Sequence, residues 1–426
     1  MALSVRRSIP PPVSAARSAM PPAIKFVLAT MFLNAVGFGI IVPVVPDLVM
    51  ELSQSNIAEA TAIGGWMSFT YAAFQFFFSP IIGNLSDRVG RRPVLLFALA
   101  GFAIDFIILA LAGNLLWLFI ARALTGIAGA TNGPSQSAIA DIVPAGERSR
   151  YFGYIGAAFG AGFVLGPALG GLLGEVDHRL PFYAAAALAF TNFLYGWFSF
   201  PETLKPENRR SFDWKRANPV GALMSIRHLP GLLPISAVYF LWQIATLVYP
   251  MIWAYYAIGR YGWSNGLVGL SLAVMGVAMA IMQTMVSPRI IRRLGERRTA
   301  FWGGLATVGS MVLIALIDNG WIAMALMPLV ALQSLVHPNL TAMMSRRADA
   351  TTQGEVQGFA SSVMAVGSII APLLFNPLQA LFSGDDAPFQ LPGAAFFVAA
   401  AIAAVAMLIL WAMPRAATPD PVLGRR

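Results

Sequence analysis

The stretch Gly83-Asn84-Leu85-Ser86-Asp87-Arg88-Val89-Gly90-Arg91-Arg92 decides the fold. A single Asp stands among three Arg on a short, glycine-flanked connector, with apolar sequence on both sides long enough to cross a bilayer. Charge is expelled from hydrocarbon and arginines gather in the loops between spans, so the connector lies at a membrane surface.

The rest of the chain agrees. Of 426 residues, 58% are hydrophobic and only 11% are charged, and the mean hydropathy is +0.70; a water-facing surface cannot be built from that composition. Twelve apolar stretches, each of roughly 20 residues, begin near residues 24, 60, 93, 114, 149, 180, 231, 266, 299, 320, 355 and 391. They are too long and too continuously apolar for tilted barrel strands, and helices satisfy their own backbone where there is no water. The expectation is an all-α membrane protein of twelve transmembrane helices. The absence of cysteine removes disulfides and thiolate metal sites, and no cofactor or metal is expected.

Alternating the loops between the two sides puts Arg88, Arg91, Arg92, Arg148, Arg150, Arg289, Arg292, Arg293, Arg297, Arg298, Arg346 and Arg347 on one side, together with the tails. The opposite loops hold Glu51, Glu59, Glu175, Asp177, Asp385 and Asp386, with Arg179 and Arg260 as their bases. The basic side is expected to be cytoplasmic, with both termini there and the chain a multi-pass protein of the inner membrane. The net charge of +9 is then a topology signal, and nucleic acid is excluded as a partner because no soluble domain carries the basic runs. The first residues, with Arg6, Arg7, Arg17 and several prolines, read as a cytoplasmic tail rather than a signal peptide.

Between Pro201 and Pro230 the chain turns polar and divides the spans six and six. The expected organisation is a tail at 1–23, a first half at 24–200, a linker at 201–230, a second half at 231–413 and a tail at 414–426. An internal repeat supports it: Ser79-Pro80 followed by Arg88-Val89-Gly90-Arg91-Arg92 is echoed by Ser287-Pro288 followed by Arg293-Leu294-Gly295-Glu296-Arg297-Arg298. Two pseudo-symmetric six-helix halves with a site between them are one transporter architecture.

The connector resembles the signature loop of the major facilitator superfamily. The run Gly162-Phe163-Val164-Leu165-Gly166-Pro167-Ala168-Leu169-Gly170-Gly171 in the fifth span resembles the motif of its drug:proton antiporters. Asn34 to Pro46 in the first span and Arg122 to Thr131 in the fourth make the chain most similar to the twelve-helix tetracycline efflux proteins, from about residue 25 to 413. Further matches are Tyr261-Gly262-Trp263-Ser264 and Gln353-Gly354-Glu355-Val356-Gln357-Gly358. The resemblance implies a proton-coupled antiporter that exports a small amphipathic drug, tetracycline-like, by alternating access. A monomer in the lipid bilayer is the expectation from that fold. The alternative is a proton-coupled or facilitative transporter of a small metabolite with the same fold.

Each motif also has its own chemistry. Asp87 beside Arg88, Arg91 and Arg92, bracketed by Gly83 and Gly90, can form a charge-paired latch at the cytoplasmic mouth, a gating role. Gly162, Gly166 and Gly170 recur every four residues and share a helical face, which lets another helix come close; Pro167 bends the helix beside them, and Gly171 completes the motif. Packing alone also accounts for that pattern, while the resemblance implies a seal against leakage.

Asp105 is the acid that lies well inside a span, and an ionisable group there is by default functional. Arg122 is at similar depth across the hairpin joining the third and fourth spans, so the two are expected to pair. Burial and a positive neighbour act on a carboxyl's proton affinity in opposite directions, a combination suited to proton coupling; a structural ion pair is the plainer alternative. The chain departs from the tetracycline efflux proteins at three titratable positions, with Asn34 in place of an Asp, Met279 in place of a His and Thr307 in place of an Asp. Asp105 must then carry much of the coupling.

Asn34, Tyr71, Gln75, Gln243, Tyr249 and Gln283 interrupt apolar spans and are the candidate substrate contacts, amides for hydrogen bonds and aromatics for flat apolar surface. Hydrogen bonding between helices is an equal alternative for each. His337 and the stripe Met275, Met279, Met282 and Met285 read as packing. No HExxH, no cysteine nucleophile and no deep pair of aspartates supports an enzyme, and no phosphate-binding Gly-Lys-Ser/Thr loop supports ATP-driven export.

Overall fold

Short polar connectors between long apolar helices produce an up-and-down bundle. The computed structural model describes residues 21–144, 147–212, 232–347, 353–384 and 387–414. The expected tails, except their inner ends, and the linker from residue 213 lie outside the described residues.

Among the described residues nine helical stretches are long and apolar enough to cross a membrane. One of them, Asn265–Leu316, is two spans, because Gly295 leaves the helix with φ 75°. Ile57–Val89 and Leu180–Ser199 are helices of spanning length with a more polar make-up. Twelve spans result. The first half consists of α1 (Pro22–Ile41, continued by Val45–Ser53), α2 (Ile57–Val89), α3 (Arg91–Leu111), α4 (Leu115–Gly129 and Asn132–Ile142), α5 (Arg148–Gly174) and α6 (Leu180–Ser199). The second consists of α7 (Leu233–Thr246 and Val248–Tyr261), α8 (Asn265–Ile281, carried through a π turn at Met282–Val286 to residue 294), α9 (296–316), α10 (Gly320–Val330 and Val336–Ser345, joined by a 3-10 turn), α11 (Gln353–Ser383) and α12 (Ala394–Ala412).

Three of the spans start where an asparagine side chain caps them. Asn56 accepts the amide of Glu59 at the start of α2; Asn114 and Asn319 accept those of Trp117 and Trp321 at the starts of α4 and α10, the equivalent span of each half. An asparagine oxygen there satisfies an amide that the helix itself leaves open. Each half buries its own apolar clusters, around Phe26 and Phe182 in the first and around Trp253 and Trp242 in the second.

The connector differs from the expected ten-residue loop. Helix α2 runs unbroken through Gly83, Asn84 and Asp87 to Val89, and the whole reversal falls on Gly90 at φ 113°. The polar residues are a helix end that projects out of the bilayer, so its backbone keeps its hydrogen bonds. Gly295 does the same work in the second half. The repeat extends to the charges. Arg91 meets Asp141 of α4 at 3.1 Å, and Glu296 meets Arg346 of α10 at 2.7 Å, the same 50 residues apart with the signs exchanged.

A Cβ on Gly90 would lie 2.1 Å from Oε2 of Glu202 in a conformation that L side chains resist, whereas Gly83 is helical with nothing within 4 Å. Gly90→Ala is therefore expected to lower stability by about 1–3 kcal/mol, and Gly83→Ala to raise it by about 0.5–1 kcal/mol. Thermal melting of the detergent-solubilised variants, followed by tryptophan fluorescence, checks both directions.

Candidate functional site

Asp105 and Arg122 come together as expected. The Asp105 carboxyl, on α3, is fully buried, and its Oδ2 lies 3.7 Å from Nη2 of Arg122 on α4. One turn further along α4, the Thr125 hydroxyl is 2.6 Å from the same oxygen and 2.8 Å from the Ala121 carbonyl. A hydroxyl has one hydrogen to give. With Asp105 ionised it goes to the carboxylate; with Asp105 protonated the acid donates to Thr125, which donates to Ala121. Oδ2 of Asp105 thus keeps a hydrogen-bond partner in either protonation state without moving a side chain. Oδ1 of Asp105 and Nε and Nη2 of Arg122 are buried without a hydrogen-bond partner, so the pair is loose, and a second carboxyl oxygen is free for a proton.

The fifth-span motif is packed on two sides. A Cβ at Gly162, Gly166 or Gly170 would lie 2.3, 2.7 or 2.1 Å from the carbonyls of Phe32, Val36 and Ile40 of α1. Gly171 faces the other half: a Cβ there would lie 2.6 Å from the Asn265 carbonyl of α8, and one at Gly269 would lie 2.3 Å from the Pro167 carbonyl. Glycine brings three backbones into contact where any side chain would hold them apart. Pro167, inside α5, leaves its ring against Gly39.

These contacts belong to one end of the bundle, the end away from the arginines. There Tyr255 of α7 enters the core of the first half, with its hydroxyl over Gly64 of α2. Asn376 of α11 donates to the Thr61 carbonyl of α2 at 3.0 Å. Asn265 donates to Asp47 at 2.7 Å, and the Gly266 amide donates to Glu175 at 2.7 Å. The Ser264 hydroxyl and that amide hold the Glu175 carboxyl below the usual carboxylate range. Toward the arginine-rich end the same helices part: Phe152, Gly156, Phe159 and Gly160 of α5 are exposed, as are Gln283, Thr284 and Met285 of α8. Among the described residues the bundle is closed at the far end and open at the arginine-rich one.

At that open end Arg91 is buried and bridges Asp87 at 2.6 Å and Asp141, all within the first half. Arg92 donates to the Trp197 carbonyl at the end of α6, while Arg88 is exposed. Sequence reasoning missed Glu202. Its carboxylate accepts the amides of Arg91 at 2.8 Å, Arg92 at 3.2 Å, and Thr203 and Leu204 at 3.0 Å each, capping α3 from the segment after α6. The Pro201-Glu202 pair and the missing cap residue at Gly90 were the available signal. Tyr255 and Asn376 were also missed, for they lie in apolar helices with nothing to set them apart.

The candidate substrate residues are not gathered in one place. Gln75 spends its amide hydrogens on the Tyr71 hydroxyl at 3.0 Å and the Gly129 carbonyl at 3.2 Å, inside the first half. Tyr249 is turned into the core of the second half, 1% exposed, between Trp253 and Phe396. A solute in the opening does not reach it, because an aromatic ring in an apolar helix gains more from the core than from the cavity. Gln243 is buried against Gly367, Asn34 is half-buried and Gln283 is exposed at the open mouth. Thr307 is buried and back-bonded to Gly303. His337 packs against Tyr239, with ring centroids 4.6 Å apart and the rings tilted by 48°.

A bundle of two repeated halves, shut at one end and open at the other, with a buried acid–base pair, is a membrane transporter. The description "Major Facilitator Superfamily" matches residues 27–372, and the chain belongs to that family. It is 37% identical to the tetracycline resistance protein, class C, of Escherichia coli over 84% of this chain and 90% of that one. It is 39% identical to the class G protein of Vibrio anguillarum over 83% and 89%. The crystal structure of a D-xylose-proton symporter superposes with a TM-score of 0.72 at 16% identity, covering 92% of this chain and 97% of that one, which shows the fold.

Gly170→Ala is expected to break the α1–α5 contact and cost about 1–3 kcal/mol or more, with loss of a monodisperse peak on size exclusion. Gly160→Ala, with nothing within 4 Å of the new Cβ, is expected to behave as the native chain.

Proposed function

We propose that the chain exports an amphipathic, tetracycline-like drug from the cytoplasm in exchange for protons, with Asp105 as the proton carrier. The observation that carries the reading is the Asp105–Arg122–Thr125 arrangement, a buried carboxyl that can be hydrogen-bonded in either protonation state. The positive-inside rule makes the arginine-rich end cytoplasmic. Both termini are then cytoplasmic, the membrane is the cell's inner one, and the conformation is inward-facing. A monomer suffices, since each chain contains both halves.

In this reading drug enters the open cytoplasmic mouth past Gln283, Asn34 and Tyr71, while Asp105 holds a proton. Release of that proton leaves a carboxylate for Arg122 and Thr125, the halves rock, and the far end opens to the periplasm. A periplasmic proton then resets Asp105. Asp87, Arg91, Arg92 and Glu202 are intact within the first half, ready to meet the second when the cytoplasmic end closes. The fifth-span glycines keep the far end sealed meanwhile. Asn34, Met279 and Thr307 have no side chain that ionises at physiological pH, and coupling falls to Asp105.

Everted vesicles test this. When tetracycline is added to energised vesicles, the native protein is expected to release lumenal protons, read by a pH dye, and Asp105→Asn to release none. Thr125→Val is expected to slow release by about tenfold, one lost hydrogen bond of about 1.4 kcal/mol. Proton release that survives Asp105→Asn would remove Asp105 from the mechanism.

A further inference from the structure

Helix α8 begins without a cap of its own. Ser264 stands at its N-cap position in extended conformation, φ −73° and ψ 165°, and is the residue type that normally caps a helix, yet its side chain makes no capping bond to α8. Its hydroxyl instead acts on Glu175, helping to hold that carboxyl below the usual carboxylate range. The open amide of Gly266 in the first turn goes to Oε1 of Glu175, and the Asn265 side chain goes to Oδ2 of Asp47. Both carboxylates belong to the other half, at the ends of α5 and α1. The contact is tightly built: Gly171 and Gly174 allow α5 to lie on Asn265, and a Cβ on Gly266 would lie 2.7 Å from Glu175. A negative charge at a helix N-terminus is favourable in itself.

We infer that Asp47 and Glu175 form a latch that holds the far end shut, with Glu175 capping α8 from the opposite half, and that opening hands the cap to Ser264. When the halves part, the first-turn amides of α8 pass to water unless the chain itself supplies an acceptor, and Ser264, already in N-cap conformation, is in position to accept an amide of its own first turn. The exchange lowers the cost of opening and makes the closed and open states discrete. The latch acts on the alternation between states, so Glu175 and Ser264 are positioning residues. The inference rests on the alternating-access reading but on no particular substrate.

The chain has no cysteine, so spin labels at Glu59→Cys and Pro388→Cys, both on exposed far-end positions of opposite halves, report opening without background. The measurement is pulsed electron–electron distance in detergent or nanodiscs with no drug and no gradient, so it stands or falls independently of what is carried. Glu175→Ala is expected to raise the ratio of long to short distances by about 5- to 30-fold. Glu175→Gln, which keeps an acceptor but not the charge, is expected to fall between. Ser264→Ala in the chain that keeps Glu175 is expected to lower the ratio, because the closed state retains the Glu175 cap and the open state then lacks its own. Unchanged distances in Glu175→Ala, in protein that melts like the native chain, would overturn the latch. An unchanged ratio in Ser264→Ala would overturn the cap exchange.

Discussion

Backbone contact of α5 with α1 and α8 is the constraint on which the rest of the structure depends. In a bilayer the hydrophobic effect does not drive one helix against another, so close packing and interhelical hydrogen bonds have to. Glycines at 162, 166 and 170 bring α5 onto the carbonyls of α1, and Gly171 brings it onto α8. The first contact joins α5 rigidly to its own half; the second is between halves and can be broken. One helix thus carries both a permanent and a reversible face, and the reversible one lies at the end where the bundle is shut. Cross-half bonds from Asn376, Asn265 and Gly266 cluster at the same end.

The second constraint is electrostatic. A carboxyl in the middle of a membrane protein cannot be left alone, and Asp105 has Arg122 at a distance too long for a strong hydrogen bond and Thr125 at a distance that is short. A tight bidentate pair would fix the proton state; a loose one leaves it open to change. The arginine-rich latches follow a different logic. Arg91 and Glu296 occupy the same place in the two halves with opposite charge and bind partners of opposite charge in α4 and α10. The geometry of that pair is the same in both halves while its sign is inverted, since an ion pair is as good either way round.

Much of this was legible in the sequence. Hydropathy gave twelve helices because a span must be long and apolar whatever surrounds it, and the 83–92 and 287–298 echoes gave the two halves. Asp105 and Arg122 were found because a charge at that depth needs a reason, and hairpin geometry set them level. The connector was misread as a loop, since its polar composition matches both a loop and a helix end clear of the bilayer. Tyr249 was misplaced because a tyrosine in an apolar helix looks the same whether it faces a cavity or a core. Glu202 and Glu175 act on backbone amides distant in the chain, so residue identity does not name the partner, and only the uncapped start of α3 at Gly90 hinted at Glu202.

Proton displacement by the purified protein tests the central claim most directly. Tetracycline added to the detergent-solubilised chain in weakly buffered solution is predicted to release protons in proportion to the protein present, with the release absent in Asp105→Asn although the drug still binds. Equal release from both proteins, or drug binding to the native chain without any release, would contradict the account.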